Sequence, residues 1–342
     1  MSGAVIGDTI EFDGKTLKFD IVHIPDSAAT LEVDGGLAEV LHEAESLPSE
    51  KPTKSATYYV ARLLPWLQEH KEDRFFVFLH FFDPHDPYEP RDPFDKWWTK
   101  DASTDGHKAV AERVRAHIAD PALQKIGLPT RAELEAAGVD AEAFLQQERE
   151  WYDGSILGMD YEIGKLMKGI QELGLLERSL IVFTSDHGEE FLDHGRMWHG
   201  QGVYGELTRV PLVMFGAGVQ EAGLVVEQPV RTIDIMPTLL ELFDLPAPAQ
   251  LQGQSLVPLL TGNPAGRWSP RPVVSQKTSL DDERSSPPPR KAGMVAISDG
   301  RWKLIHNEPR EEGKPEWELY DREADPLDLR DLAEAQPGIV AR

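Results

Sequence analysis

The 342-residue chain contains no cysteine, which excludes disulfides, zinc–thiolate sites and a cysteine nucleophile within it. Basic residues are scarce. Against 59 Asp and Glu stand 35 Lys and Arg, a formal net charge of −24. A chain of that sign without a basic stripe repels polyanions, which argues against nucleic-acid binding and against docking on anionic membranes. No apolar run approaches the ~18 residues of a membrane-spanning helix, and the longest, Phe75 to Phe82, is interrupted by His80. Met1 to Ile10 have neither the basic start nor the apolar stretch of a secretion signal, so the compartment is left open.

What is present is an ordinary globular composition, 40% apolar and 27% charged despite 26 Pro and 28 Gly. The length suits two domains of roughly 100–200 residues, or one large α/β domain with an appendage. Near the start, Thr9–Phe12 and Thr16–Ile21 alternate in polarity around Asp13-Gly14, the pattern of a hairpin closed by a type I′ turn. Gly36 to Glu45 is expected to be a short helix, and Leu47 to Lys54, with two prolines, a linker. Ala56, Val60, Leu63, Leu64 and Leu67 recur with helical period behind Ser55.

The run from Phe75 to Phe82 predicts a strand covered on both faces, as in a parallel sheet. It stops at Asp83-Pro84-His85-Asp86-Pro87-Tyr88, where prolines forbid regular structure. Residues 91–148 look like a charged surface excursion with helical patches. From Glu148 an apolar stripe through Tyr152, Ile156, Met159, Ile163, Leu166 and Ile170 predicts a long helix stopped by Gly174. Leu180–Thr184 and Pro211–Phe215 predict two further strands, and Thr232–Phe243 a helix with Pro237 in its first turn. Strand–helix alternation of this kind implies an α/β fold, a mixed or parallel sheet flanked by helices. Residues 262–292, rich in Pro, Ser and Arg, are expected to be a loop. Met294–Ile297, Trp302–Ile305 and Glu316–Tyr320 then form a small antiparallel subdomain. The expected division is 1–54 for the hairpin and linker region, 55–265 for the α/β core and 266–342 for the C-terminal subdomain.

Histidine and aspartate cluster just beyond strand ends, where ligands bind in open α/β sheets. One strand delivers His85, the next Asp186 and His187, and the following loop His194 and His199. Each has a plain alternative. His80, within its strand, reads as a packed core histidine, His194 as a turn-closing residue, and His85 alone as structural. Asp186-His187 alone is a weak metal signal, because adjacent residues diverge after a strand.

Six segments in order go further. Asp83-Pro84-His85-Asp86-Pro87-Tyr88, Ser185-Asp186-His187-Gly188-Glu189, Asp193-His194-Gly195, Trp198-His199-Gly200, Thr208-Arg209-Val210-Pro211-Leu212 and Arg231–Thr238 together resemble the sulfatase family of the alkaline phosphatase superfamily. Leu251–Leu256, Trp302–Ile305, Glu318–Asp321 and Asp331-Leu332-Ala333 extend the likeness toward the C-terminus. Asp331 departs from the Asn that often opens the last block. The resemblance implies an alkaline phosphatase-like fold, a mixed, mostly parallel sheet with a small C-terminal antiparallel subdomain. It also implies hydrolysis of a small-molecule or glycan sulfate ester with a divalent metal, most often calcium.

Asp186 matches one metal ligand and His187 the next. An imidazole is a poorer partner for calcium than an oxygen, so magnesium and manganese stay open. His85 matches the histidine that contacts the sulfate or protonates the leaving alcohol. His199 stands where many members have lysine, as a second acid or a sulfate clamp. Glu189 is either an acceptor orienting His187 or a solvated carboxylate, and Arg209 is expected to fix its loop to the core.

The family's nucleophile is a Cys or Ser in a C/S-x-P-x-R motif, converted to formylglycine, behind a strand with two more Asp ligands. The opening of this chain shows neither feature. The one literal match, Ser286-Pro287-Pro288-Pro289-Arg290, lies in a polyproline stretch unsuited to a helix N-terminus. The expectation is therefore an N-terminally incomplete sulfatase with little turnover alone. Two alternatives stay open: a phosphodiesterase, phosphonate hydrolase or phosphoethanolamine transferase of the same superfamily, and a non-catalytic pseudoenzyme.

Overall fold

Four short strands open the computed structural model: β1 (Ile6–Phe12), β2 (Lys15–Ile21), β3 (Leu31–Val33) and β4 (Gly36–Ala38). They form one antiparallel sheet in sequence order. Of residues 1–54 the structure describes these strand backbones alone. Beyond them it describes residues 55–342 apart from 89, 91–92, 97–103, 121–122, 125–126, 220–222, 262–267, 279–291 and 308–314. Phe12 pairs with Lys15 across the Asp13-Gly14 step, as the hairpin pattern predicts. Gly36–Ala38 is a strand rather than the start of a helix, because it pairs with Leu31–Val33.

Ser55 begins the core. Its hydroxyl accepts from the Tyr58 N–H at 3.4 Å and caps the helix Ala56–Glu69. That helix packs Val60, Leu63 and Leu67 against Leu166 and Leu175. Leu166 belongs to the longest helix, Ala141–Glu172, which starts a full two turns earlier than the apolar stripe suggests. Asp140 caps it by accepting from the N–H groups of Glu142 and Ala143. Gly174, at φ +68°, ends it. The Leu175 N–H bonds to Ile170 O and the Gly174 N–H to Gln171 O, each at 3.0 Å, the paired bonds of a Schellman stop.

Residues 75–82 correct the sequence expectation. Phe75, Leu79 and Phe81 pack on the Ala56–Glu69 helix. The opposite side chains stay exposed, Phe76 at 59% and Phe78 at 77%. Alternation holds over Phe78–Phe82 but fails at Val77, which is exposed, and the segment belongs to no ladder in the described residues. Strand character needs a neighbour to pair with N–H and C=O groups, and one face is covered rather than two. His80 lies on the open side and is exposed rather than packed in a core.

β5 (Leu180–Thr184) pairs antiparallel with a later strand, β8 (Leu212–Gly216). Between them, β6 (Glu190–Phe191) and β7 (Met197–Trp198) make a small hairpin. All ladders among the described residues are antiparallel, so the parallel pairing expected of the core sheet is not among them. Asp234 organises the stretch after β8. Its carboxylate accepts from the Arg231 N–H and guanidinium and from the Gln254 N–H. A 3-10 turn at Thr232–Asp234 therefore leads into the helix Ile235–Leu242, and both are tied to the 251–256 segment.

The C-terminal sheet has the order β12-β11-β10-β9, from β9 (Val273–Thr278), β10 (Ala292–Ser298), β11 (Trp302–Asn307) and β12 (Trp317–Asp321). β9 falls within the expected 262–292 loop, and its pairing with β10 makes it an edge strand. Met294, Ala296, Ile305 and Tyr320 of this sheet pack with Val203 and Tyr204, which follow directly on the His199 loop. No helix among the described residues is long and apolar enough to cross a membrane.

Candidate active site

Three loops converge at the ends of β5, β7 and the 75–82 segment. The first is tied down by Asp83, whose carboxylate accepts the Ala56 N–H at 2.7 Å. Two residues on, the His85 ring stacks on Phe82 with centroids 4.3 Å apart. The His85 Nδ1 sits 2.6 Å from the Asp86 carbonyl oxygen. A carbonyl only accepts, so Nδ1 carries the proton and Nε2 is left as the available atom.

The second loop leaves β5 through Ser185. The Ser185 hydroxyl donates to the His187 carbonyl at 2.6 Å, and the His187 N–H donates to Asp186 Oδ1 at 3.0 Å. His187 Nδ1 donates to the Gly188 carbonyl at 2.9 Å. That leaves His187 Nε2 3.7 Å from Asp186 Oδ2, with the Asp186 side chain 72% exposed. The Gly188 N–H, in turn, bonds to Leu207 O at 2.9 Å, anchoring the loop to the short helix Gly205–Thr208.

The third loop follows β7. Trp198 is buried, holds φ +68°, and donates its indole N–H to Glu148 Oε2 at 2.9 Å. A left-handed tryptophan is an uncommon backbone state, and it turns the chain at His199. His199 then stacks on His187, centroids 4.1 Å apart, and meets His85 edge-on at 4.8 Å. The expected site residues His85, His187 and His199 thus form one group, with Asp186 beside it.

Glu189 holds that group from behind. It is 5% exposed at its side chain and accepts the His199 Nδ1–H at 2.9 Å. Its other oxygen accepts the Tyr88 hydroxyl at 2.7 Å. Glu189 therefore orients His199, not His187. Burial lowers the His199 proton affinity, but the hydrogen bond and charge of Glu189, helped by Asp86 and Asp186, raise it overall. Burial pushes the Asp86 carboxyl up, against the lowering pull of His85 and His199. Tyr88 is held far above the ordinary phenol range by burial and by the Glu189 carboxylate.

Sequence pattern does not single out Asp86 and Tyr88, although both stand inside the Asp83–Tyr88 motif. His194 lies apart from the imidazole group. Its Nδ1 contacts Glu206 and its Nε2 the Asp328 carbonyl, both at 2.6 Å, and its ring lies flat on Tyr204. It joins the loop to the C-terminal subdomain instead of simply closing a turn. Ser286 to Arg290 lie outside the described residues.

Residues 12–245 match the family model described as Sulfatase, and residues 193–338 match that described as N-sulphoglucosamine sulphohydrolase, C-terminal. The chain belongs to the sulfatase family. Arylsulfatase K of Rattus norvegicus is 29% identical over 204 residues, 56% of this chain and 33% of that protein. The multifunctional alkaline phosphatase superfamily protein PehA of Trinickia caryophylli is 27% identical over 314 residues, 85% of this chain and 58% of the relative. The solved phosphonate monoester hydrolase from Silicibacter pomeroyi superposes with a TM-score of 0.62 at 22% identity, covering 84% of this chain and 57% of its own. The fold is α/β, of the alkaline phosphatase-like kind, and the chain spans about a third to three fifths of the length of these proteins.

Asp186 and His187 fit a divalent cation as two donors. Nδ1 of His187 is committed to a carbonyl, which is the usual way a metal-binding imidazole is oriented. Its Nε2 and the Asp186 carboxylate face one another across 3.7 Å.

Proposed function

We propose that this chain carries the leaving-group and metal-binding side of a pocket that hydrolyses sulfate esters, small-molecule or glycan. The observation that supports it is the packing of His85, His187 and His199, ring against ring, with each Nδ1 engaged by a hydrogen-bond acceptor. All three Nε2 atoms are thereby left for substrate, proton or metal.

In this reading Asp186 and His187 hold the cation, calcium in the first instance. When bound, it supplies Lewis acidity toward the nonbridging oxygens of the ester. His85, in its doubly protonated form, delivers the Nε2 proton to the departing alcohol and keeps the Nδ1 proton on the Asp86 carbonyl. His199, whose proton affinity Glu189 raises, hydrogen-bonds a sulfate oxygen through Nε2 when protonated.

Hydrolysis of a phosphodiester or phosphonate ester is the second reading. It is favoured by the long match to PehA and to the phosphonate monoester hydrolase, each covering more of this chain than arylsulfatase K does. The test is calorimetric titration of the chain with Ca2+, then with 4-nitrophenyl sulfate or bis(4-nitrophenyl) phosphate. Asp186→Asn should remove calcium binding, and His85→Ala or His199→Ala should weaken binding of the preferred ester. Unchanged calcium binding in Asp186→Asn rejects the metal assignment. Turnover of 4-nitrophenyl sulfate by the chain at ordinary enzyme rates rejects the expected inactivity.

A further inference from the structure

We infer that His194, as an imidazolium, is a positioning residue for the Asp186–His187 loop: it bridges Glu206 and the Asp328 carbonyl, and loss of its proton cuts the bridge. His194 Nδ1 lies 2.6 Å from Glu206 Oε1, and Nε2 lies 2.6 Å from the Asp328 carbonyl oxygen. With Glu206 ionised, both partners only accept. Two such contacts need an N–H on each ring nitrogen, which the cation alone has. The His194 and Glu206 side chains are each 11% exposed, and the ring lies flat on Tyr204, so solvent has little access to either bond.

Glu206 belongs to the helix Gly205–Thr208, a single turn that cannot hold itself in place. Its position is set by its neighbours. Tyr204, just before it, is buried against the C-terminal sheet and donates its hydroxyl to Glu318. Leu207 is buried, and Glu206 is held by His194. On the other side, the Leu207 carbonyl accepts the Gly188 N–H at 2.9 Å. Gly188 lies so close that a Cβ there would strike the Glu206 backbone oxygen. The bond that anchors the Asp186–His187 loop is thus one residue from the side chain that His194 holds.

Charged groups reach the ring from every element around it. Glu190 accepts the His194 backbone N–H within the β6–β7 hairpin, and Asp193 and Arg196 stand in the same turn. Glu206 comes from the short helix, and Asp328 from the C-terminal turn with Lys303 paired to it. Arg322 bears on Lys303, and Glu318 lies behind Tyr204. Burial opposes the cation, and Glu206, Asp328 and Glu190 together outweigh it. A neutral ring has one N–H for two acceptors. Whichever acceptor keeps it, the other faces a lone pair, and helix and C-terminal turn are no longer joined. That the loosened loop carries calcium ligands rests on the function proposed above, whereas the readouts below need no metal.

The test is NMR of the metal-free chain with isotope-labelled histidine and backbone amides, from about pH 5 into the mildly alkaline range. The expected result is a His194 ring protonated on both nitrogens at the acid end. The exchange protection factor of the Gly188 amide then falls as one of those protons is lost. In Glu206→Gln, whose amide oxygen still accepts from Nδ1, both changes move to lower pH by about one to three pH units, the effect of removing a nearby opposite charge. In His194→Gln, Gly188 is less protected at the acid end and shows no step with pH. A ring with one bare nitrogen throughout overturns the inference, as does Gly188 protection that ignores the His194 titration. So does a step unmoved in Glu206→Gln, or one that persists in His194→Gln and therefore belongs to another group such as His187. The first two readings are taken on the unaltered chain, so they decide even where a variant fails to fold. Calcium binding, measured separately, reports on the Asp186–His187 assignment, and the two readings fail independently.

Discussion

His187 and His199 lie nearly face to face, ring centroids 4.1 Å apart and planes 29° from parallel, although eleven residues and a hairpin turn separate them. Two imidazoles at that spacing cannot both be cationic without repelling. Glu189 bonds to His199 and the Gly188 carbonyl to His187. The carboxylate raises the proton affinity of His199, and His187 is the ring placed beside Asp186.

Tyr88 should contribute measurably through Glu189. Its side chain is 1% exposed, and its hydroxyl is 2.7 Å from the buried carboxylate. Tyr88→Phe keeps the ring packing on Tyr152 and Phe191 and removes that donor alone. Hydrogen bonds to charged groups are worth about 1.5–3 kcal/mol, so urea unfolding should show a loss of that size. A loss below experimental error means that water replaces the hydroxyl.

Gly188 should not tolerate a side chain. A Cβ there would sit far inside van der Waals contact with the Glu206 backbone oxygen, and backbone cannot rotate away as a side chain can. Gly188→Ala should cost about 1–3 kcal/mol in thermal or urea unfolding and displace the Asp186–His187 loop, reducing calcium affinity as well. Full retention of both would mean that the loop and the Gly205–Thr208 helix slide apart freely.

Local patterns carried much of this architecture and little of the ligand geometry. The helical spacing behind Ser55, the Gly174 stop and the Asp13-Gly14 hairpin depend on neighbours a few residues away, and each is legible for that reason. The motif order likewise brought His85, His187 and His199 into view. Strand status at 75–82 depends on a pairing partner, which no local pattern supplies. β9 hides in a Pro- and Ser-rich stretch because an edge strand buries little. The Glu189–His199 bond joins residues across the β6–β7 hairpin, and Tyr88 reaches Glu189 from 101 positions away, so neither has a spacing signature. Asp86 was legible as part of a motif, but its nearness to His199 is purely tertiary.

His194 should make stability depend on pH. Burial works against its cationic form, yet the hydrogen bond and charge of Glu206 and the Asp328 carbonyl raise its pKa overall from the ordinary 6.5. A raised folded value means that protonation favours the folded state. The stabilisation is complete below about pH 6.5 and is lost as pH climbs through the folded value. The stability gap between the wild-type chain and His194→Gln should narrow over that interval in urea unfolding. A gap that is constant or widens with pH would show the ring to be neutral in the fold.

Lys303 and Asp328 test the same junction through a buried ion pair. Their side chains are 4% and 0% exposed and form an ion pair, with burial and the opposing pull of Asp328 leaving the lysine pKa lowered. The Asp328 carbonyl is the group that accepts from His194, so the pair holds the C-terminal subdomain's end of that contact. Removing one member of a buried pair strands the other charge, at a cost of about 3–5 kcal/mol, whereas replacing both by neutral groups costs much less. Lys303→Met should therefore unfold at markedly lower urea, and Lys303→Met with Asp328→Asn should recover most of the loss. Asn suits position 328 because it accepts the left-handed backbone, φ +54°, that Asp328 adopts there. If the double variant is as unstable as the single one, the junction depends on the charges themselves, and His194 is then held by the field of the pair as well as by the carbonyl.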